Sequence, residues 1–325
     1  MDGKRFRGVG PAVVTPMHGD GSLDLDAFAE HLEFLIRGGV HFLVPCGTTG
    51  ESATMTAEEQ LRVIEKAVEV AAGRLPVMAG AGTNDTREAA ERARAAAAAG
   101  GDAVLSVSPY YNKPTQEGLY RHYMTVADAA GVPVFVYNVP GRTSSNVAPE
   151  TLFRLAEGHE MIEGVKEASG NLDQVMTILR DRPDGFGVLS GEDHLSYPIV
   201  VLGGEGVISV VANEAPARMS EMVEAALAGD HPTARRLHYQ LLPLMRLNFI
   251  ESNPIPVKTA LEMMGRFTAH FRLPLCELSE GNREPLREAL ELAGVELSSE
   301  RVAEAPGAPS SDPDAARLAT VKAAR

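Results

Sequence analysis

Residues 103–138 read AVLSVSPYYNKPTQEGLYRHYMTVADAAGVPVFVYN, and this stretch holds the repeating unit of the chain. Two short runs rich in β-branched and apolar residues, 103–106 and 134–138, flank an amphipathic interval at 117–130, with turn residues at the limits. The runs lack the alternation of a strand with one wet face, so each suits a strand covered on both faces. Strand, helix and strand without a hairpin signal between them point to parallel pairing. Working outward, similar runs at 8–15, 42–46, 77–81, 162–166, 187–190 and 207–211 bring the total to eight. Amphipathic intervals at 25–38, 57–72, 87–99, 149–157 and 172–180 separate them, and the seventh interval is shorter and more apolar. Eight βα units closed on themselves predict an α/β fold of the TIM (β/α)8 barrel type.

The structural rival, a doubly wound open sheet, calls for G-x-G-x-x-G after the first strand and an acidic residue about 20 positions later. Neither is found, and Gly80-Ala81-Gly82-Thr83-Asn84-Asp85 begins that pattern without its last glycine. Helical periodicity continues past the eighth run at 215–227, 233–249, 257–264 and 283–293. The expected organisation is a catalytic barrel over 1–214, additional C-terminal helices over 215–296, and a tail over 297–325. That tail is rich in Ala, Pro, Ser, Asp and Glu, a composition that predicts disorder.

Composition narrows the function classes. The 325 residues are 44% hydrophobic and 23% charged, with mean hydropathy −0.08, as expected of a globular protein with a large core. No apolar run approaches the roughly 20 residues of a membrane span, and MDGKRFRGVG lacks the apolar segment of a signal peptide, so the expectation is a cytoplasmic protein. A formal charge of −14 opposes nucleic acid and anionic membranes as partners and favours small-molecule chemistry. Cys46 and Cys276 stand in no metal or redox spacing, and Cys46 is expected to be buried and inert.

In a TIM barrel the chemistry sits at the C-terminal ends of the strands. That rule selects Gly47-Thr48-Thr49-Gly50-Glu51, Pro109-Tyr110-Tyr111-Asn112, Tyr137-Asn138-Val139-Pro140, Lys166-Glu167-Ala168-Ser169 and Gly191-Glu192-Asp193. Lys166 ends an apolar run, where an unpaired ammonium is costly to desolvate. Burial disfavours the charged form of an amine, and a neutral amine is the nucleophile that forms an imine with a carbonyl substrate. An ion pair with Glu167 or an exposed strand end accounts for the lysine equally well from position alone. Tyr137 either fills the barrel mouth or moves protons through Thr48 and Tyr111. Thr48 and Thr49, set between glycines, form either a plain turn or a cradle of hydroxyl and N–H groups for a carboxylate. Arg142 offers a fork for a second carboxylate.

The motifs VVTPM at 13–17, GTTGESAT at 47–54, SPYYNKPTQEGLY at 108–120, YNVPGRT at 137–143, GVKEASGNL at 164–172, GVISVVAN at 206–213 and NPIPVK at 253–258 occur in this order. From about residue 8 to about residue 294 the chain resembles the dihydrodipicolinate synthase family of the N-acetylneuraminate lyase superfamily. The resemblance implies a Schiff base between Lys166 and pyruvate, with Tyr137 as general acid and base linked through Thr48 to a Tyr111 supplied by a neighbouring subunit. It implies that Thr49, the Ile208 backbone and Gly191 position the keto acid, and that Arg142 holds the carboxylate of L-aspartate 4-semialdehyde. It also implies no metal or organic cofactor, and a homotetramer built as a dimer of dimers. Ser52, Ala53, Asn84, Glu88 and Tyr110 match the family's allosteric pocket, but Ala57 and Gln60 stand where lysine-inhibited members commonly carry histidines. Weak or absent lysine inhibition is the expectation.

Three alternatives have distinct signatures. A sugar-acid aldolase of the same superfamily would share Lys166, Tyr137 and Thr48 but lack Arg142. A metal-dependent aldolase needs clustered ligands, for which Glu192-Asp193-His194 is the sole dense candidate. A ligand-sensing barrel without activity would have no need of the Lys-Tyr-Thr-Tyr set.

Overall fold

The computed structural model describes residues 6–298; most of the tail expected to be disordered therefore lies outside the described residues. Among these residues seven parallel strands, β1 (Gly8–Pro11), β2 (Met78–Gly80), β3 (Ala103–Val107), β4 (Val134–Asn138), β5 (Ile162–Glu167), β6 (Gly187–Ser190) and β7 (Gly206–Ser209), form one sheet. Their order is β1-β7-β6-β5-β4-β3-β2, which leaves β1 and β2 as the two edges. The run at 42–46, expected as a strand, lies between those edges and joins them by single bridges, Ala12 to Val44 and Leu43 to Val77. Val44 N donates to Pro11 O at 3.1 Å, while Met78 N and Gly80 N donate to Leu43 O and Pro45 O at 2.8 and 2.9 Å. Pro45 has no N–H to extend the ladder, and Cys46 takes φ +57° and turns the chain away. The eighth member closes the ring without becoming a regular strand, and the TIM barrel is complete.

Among the described residues, twelve α-helices follow in chain order: α1 (Leu25–Arg37), α2 (Ala57–Ala71), α3 (Thr86–Ala98), α4 (Gln116–Ala130), α5 (Pro140–Thr143), α6 (Pro149–Gly158), α7 (Leu172–Asp181), α8 (Asp193–Val201), α9 (Pro216–Leu227), α10 (His231–Leu247), α11 (Ile255–Met263) and α12 (Glu280–Leu292). Asp24, Thr56, Asp85, Thr115, Asn171 and Asp230 cap the starts of α1, α2, α3, α4, α7 and α10 through their side chains. Each such cap is worth about 1 kcal/mol. These signals, together with the apolar stripes, explain why the expected helix limits fall within a few residues of the observed ones.

Two apolar layers position the site. Between strands and helices lies a core that includes Val104, Val136, Val165 and Val188. Inside the ring lies a second, with Phe6, Phe42, Phe135, Tyr137, Leu189 and Ile208. Phe6 meets Phe42 and Phe135 edge to face, at centroid distances of 5.5 and 5.4 Å, and this cluster plugs the end from which the strands start. Gly10 makes room for it, since a Cβ there would come 2.0 Å from the Phe42 ring. With that end sealed, the open end is the one where the strands finish. Helices α9, α10 and α12 add a separate core beside β1 and β7, built from residues such as Met219, Leu241 and Leu286.

Candidate active site

Side-chain alternation along β5 turns Val165 outward into the helix-facing core and Lys166 inward. Tyr137 of β4 is the register partner of Lys166, and its ring belongs to the inner core. Both side chains are buried, and the Lys166 Nζ lies 4.1 Å from the centre of the Tyr137 ring. Glu167 faces the other way. Its carboxylate accepts from Asn138 Nδ2 at 2.9 Å, Ser169 N at 2.8 Å and Gln174 Nε2 at 3.2 Å. The ion-pair explanation of Lys166 is thereby removed: Glu167 is satisfied on the outer face, and among the described residues no carboxylate lies within 4 Å of the Lys166 amine. Gly191, just past β6, borders the same amine. A Cβ at that position would sit 2.5 Å from Ala168 Cβ and 3.1 Å from Lys166 Cε, so its missing side chain keeps space open beside the nucleophile. Ile208 of β7 is also buried in the interior.

The loop after the 42–46 run carries Thr48 and Thr49 between two left-handed residues, Cys46 and Glu51, both at φ +57°. Gly50 N donates to Gly47 O and Glu51 N to Thr48 O, each at 3.1 Å, which folds the loop back on itself. Thr49 is buried and its Oγ1 accepts from Asn253 Nδ2 at 3.0 Å. Glu51 is paired with Lys258 Nζ at 2.7 Å, both side chains fully out of solvent, and that amine also donates to His270 O. Burial pushes the Lys258 ammonium below its ordinary range, against the pull of Glu51. Neither Asn253 nor Lys258 stands out as functional in the sequence, beyond their place in NPIPVK. The one available signal is a lysine inside the otherwise apolar α11.

Arg142 lies exposed on the short α5. Burial and the neighbouring Asp193 charge raise the Glu192 carboxyl above its usual range, while Lys166 and Arg142 draw it down, so both cations act on one rim carboxyl. Asp193 is turned inward, where its Oδ2 accepts from Val210 N and Val211 N at 2.9 and 3.0 Å. Asp193 thus braces the chain after β7, and among the described residues no group of three or more His, Cys, Asp or Glu side chains is placed to hold a metal ion.

Tyr111 is not brought to this interior. It is 90% exposed, at φ +74°, because Asn84 Nδ2 donates to Tyr110 O and Asn112 Nδ2 donates to Asn84 O, pinning the loop on both sides of it. One chain therefore brings Lys166 and Tyr137 together and carries the Thr48–Thr49 loop after the 42–46 run, but leaves its own Tyr111 in solvent. Near Ser52 and Ala53, Gln60 Nε2 donates to Ser52 O at 2.7 Å, and Arg92 bridges Gln60 Oε1 and Glu88 Oε1. Ala57, Gln60, Glu88 and Arg92 line a cleft of about 320 Å³ that fits a small molecule. Cys46 is buried, and desolvation pushes its thiol up to about 12, as an inert cysteine should be.

The model of the dihydrodipicolinate synthetase family matches residues 5–293. The chain is 50% identical over 295 residues to the 4-hydroxy-tetrahydrodipicolinate synthase of Prosthecochloris aestuarii, covering 91% of this chain and 99% of that one. Its fold is similar to the chloride-inhibited dihydrodipicolinate synthase of Acinetobacter baumannii complexed with pyruvate, with TM-score 0.87, 44% identity, and coverage of 89% and 99%. It is also similar to DHDPS from Cyanidioschyzon merolae with lysine bound, with TM-score 0.86, 38% identity, and coverage of 89% and 98%.

Proposed function

This chain belongs to the dihydrodipicolinate synthetase family, and we propose on that footing how its residues condense pyruvate with L-aspartate 4-semialdehyde to 4-hydroxy-tetrahydrodipicolinate, in lysine and diaminopimelate biosynthesis. The Lys166 amine attacks the keto carbon of pyruvate, and loss of water from the carbinolamine leaves an imine. Loss of a methyl proton gives the enamine, whose carbon attacks the aldehyde of the second substrate. The amine of that substrate then displaces the lysine, closing the ring and freeing Lys166. Tyr137, packed against Lys166, carries the protons of these steps. Thr48 links it to a Tyr111 reaching in from a neighbouring subunit of a homotetramer, a dimer of dimers. Thr49, the Ile208 backbone and Gly191 seat the keto acid, and Arg142 at the rim takes the carboxylate of the semialdehyde.

The single observation that carries this reading is the buried Lys166 amine against the Tyr137 ring, with no carboxylate within 4 Å of it among the described residues. Borohydride reduction with pyruvate, followed by peptide mass mapping, tests it. The reduced adduct is expected on Lys166 and absent from a Lys166→Arg variant; an adduct elsewhere overturns the assignment. The remaining parts of the reading are a cytoplasmic enzyme, a catalytic barrel over 1–214 joined to a helical region over 215–296, and weak or absent inhibition by lysine. Support for the last is the Gln60–Arg92–Glu88 network, which already engages the Glu88 carboxylate.

A further inference from the structure

Asn253 and Thr49 are separated by 204 positions in the chain, yet the Asn253 amide donates to the Thr49 hydroxyl in a buried contact of 3.0 Å. An amide nitrogen can only donate, so Thr49 Oγ1 accepts, and its own hydrogen has to point elsewhere. Thr49 is 2% exposed, so water has little access to that hydrogen. Two features hold the donor in place. Asn253 begins the turn into α11, and further along that helix the buried Lys258–Glu51 pair ties α11 to the far end of the same loop. The Asn253 carbonyl oxygen, in contrast, is buried without a hydrogen-bond partner, so the donating half of the amide is the half in use.

We propose that Asn253 is a positioning residue for substrate binding: by donating to Thr49 Oγ1 it forces the Thr49 hydroxyl to act as a donor toward the keto-acid carboxylate. The C-terminal helical region thereby sets the polarity of a binding group on the barrel. This rests on the reading of Thr49 as a pyruvate-binding residue. Because the same hydrogen bond serves bound substrate and transition state, its loss weakens pyruvate binding and leaves turnover at saturation nearly unchanged.

The test compares Asn253→Ala, Asn253→Asp, Thr49→Val and the double variant Asn253→Ala/Thr49→Val, recording KM for pyruvate, kcat and Tm of the full enzyme. Asn253→Ala is expected to raise KM for pyruvate about five- to tenfold, the equivalent of one hydrogen bond, with kcat within about twofold. Asn253→Asp, of equal size, can only accept when ionised, so it reverses the Thr49 hydroxyl and is expected to raise KM further. In the Thr49→Val background, Asn253→Ala should add nothing to KM. A fall in Tm with KM unchanged overturns the proposal, as does an Asn253→Asp enzyme with the parent's KM. Additive effects in the double variant also overturn it. If Thr49→Val itself leaves KM for pyruvate unchanged, the reading of Thr49 fails instead, and the two failures are distinguishable.

Discussion

The Lys258–Glu51 pair yields the sharpest stability prediction, because both side chains are entirely buried and the contact is 2.7 Å. Lys258→Met keeps a long apolar stem in α11 but strands the Glu51 carboxylate, whose Oε2 already has no partner. Removing one member of a buried pair costs about 3 to 5 kcal/mol, whereas removing both charges is often near neutral. For a chain of this size each kcal/mol lowers Tm by roughly 1.5 to 2 °C, so a drop on the order of 5 to 10 °C is expected. The double variant Lys258→Met/Glu51→Gln should recover more than half of it. Differential scanning calorimetry at one fixed protein concentration reads this directly, since subunit association makes Tm concentration-dependent. A second readout is activity: Glu51 ends the loop that carries Thr48 and Thr49, so the single variant should lose pyruvate affinity and the double variant should regain part of it. If Lys258→Met melts within 2 °C of the parent, or the double variant is no more stable than the single one, the argument from an uncompensated buried charge is wrong.

Four further outcomes are expected. Gly191→Ala places a methyl group 2.5 Å from Ala168 Cβ and 3.1 Å from Lys166 Cε. Displacing the nucleophile by a fraction of an ångström should cost roughly tenfold or more in kcat; borohydride trapping as fast as in the parent would contradict it. Burial holds His31 down to about 4, below its unfolded value near 6.5. The unfolded chain therefore takes up the proton first, and stability is present above pH 6.5 and lost as pH falls toward 4. The loss is about 3 kcal/mol, and His31→Gln, which keeps a donor for Asn213 Oδ1, should flatten the denaturant-midpoint profile there; parallel profiles would refute this. Mixing Tyr111→Phe and Lys166→Ala proteins under dissociating conditions and reassembling them should restore part of the activity, provided that each site borrows the tyrosine of another subunit. No recovery would place Tyr111 within its own chain's site. Finally, rates measured across a lysine titration should stay near the uninhibited value through 1 mM, and strong inhibition below that concentration would show that the Arg92 network does not block the pocket.

What the sequence determined is local or covalent in origin. Strand runs, amphipathic intervals and capping residues are written in neighbouring positions, so the βα rhythm and most helix limits could be read directly. Lys166 announced itself because a cation at the end of an apolar strand needs a reason. Only the tertiary structure decided which face Glu167 takes, because one step along a strand moves a carboxylate from the interior to the outer layer, and only there does Lys166 prove to lack a carboxylate partner. The broken regularity at 42–46 belongs to the same class, since its strand-like composition is overruled by Pro45 and the left-handed Cys46. Tyr111 reads like the other mouth residues until the Asn84 contacts hold it out in solvent. Asn253 and Lys258 lie more than 200 positions from Thr49 and Glu51. No periodicity links such distant positions, and their partnership exists only because the ring of strands closes and lays α11 against the loop.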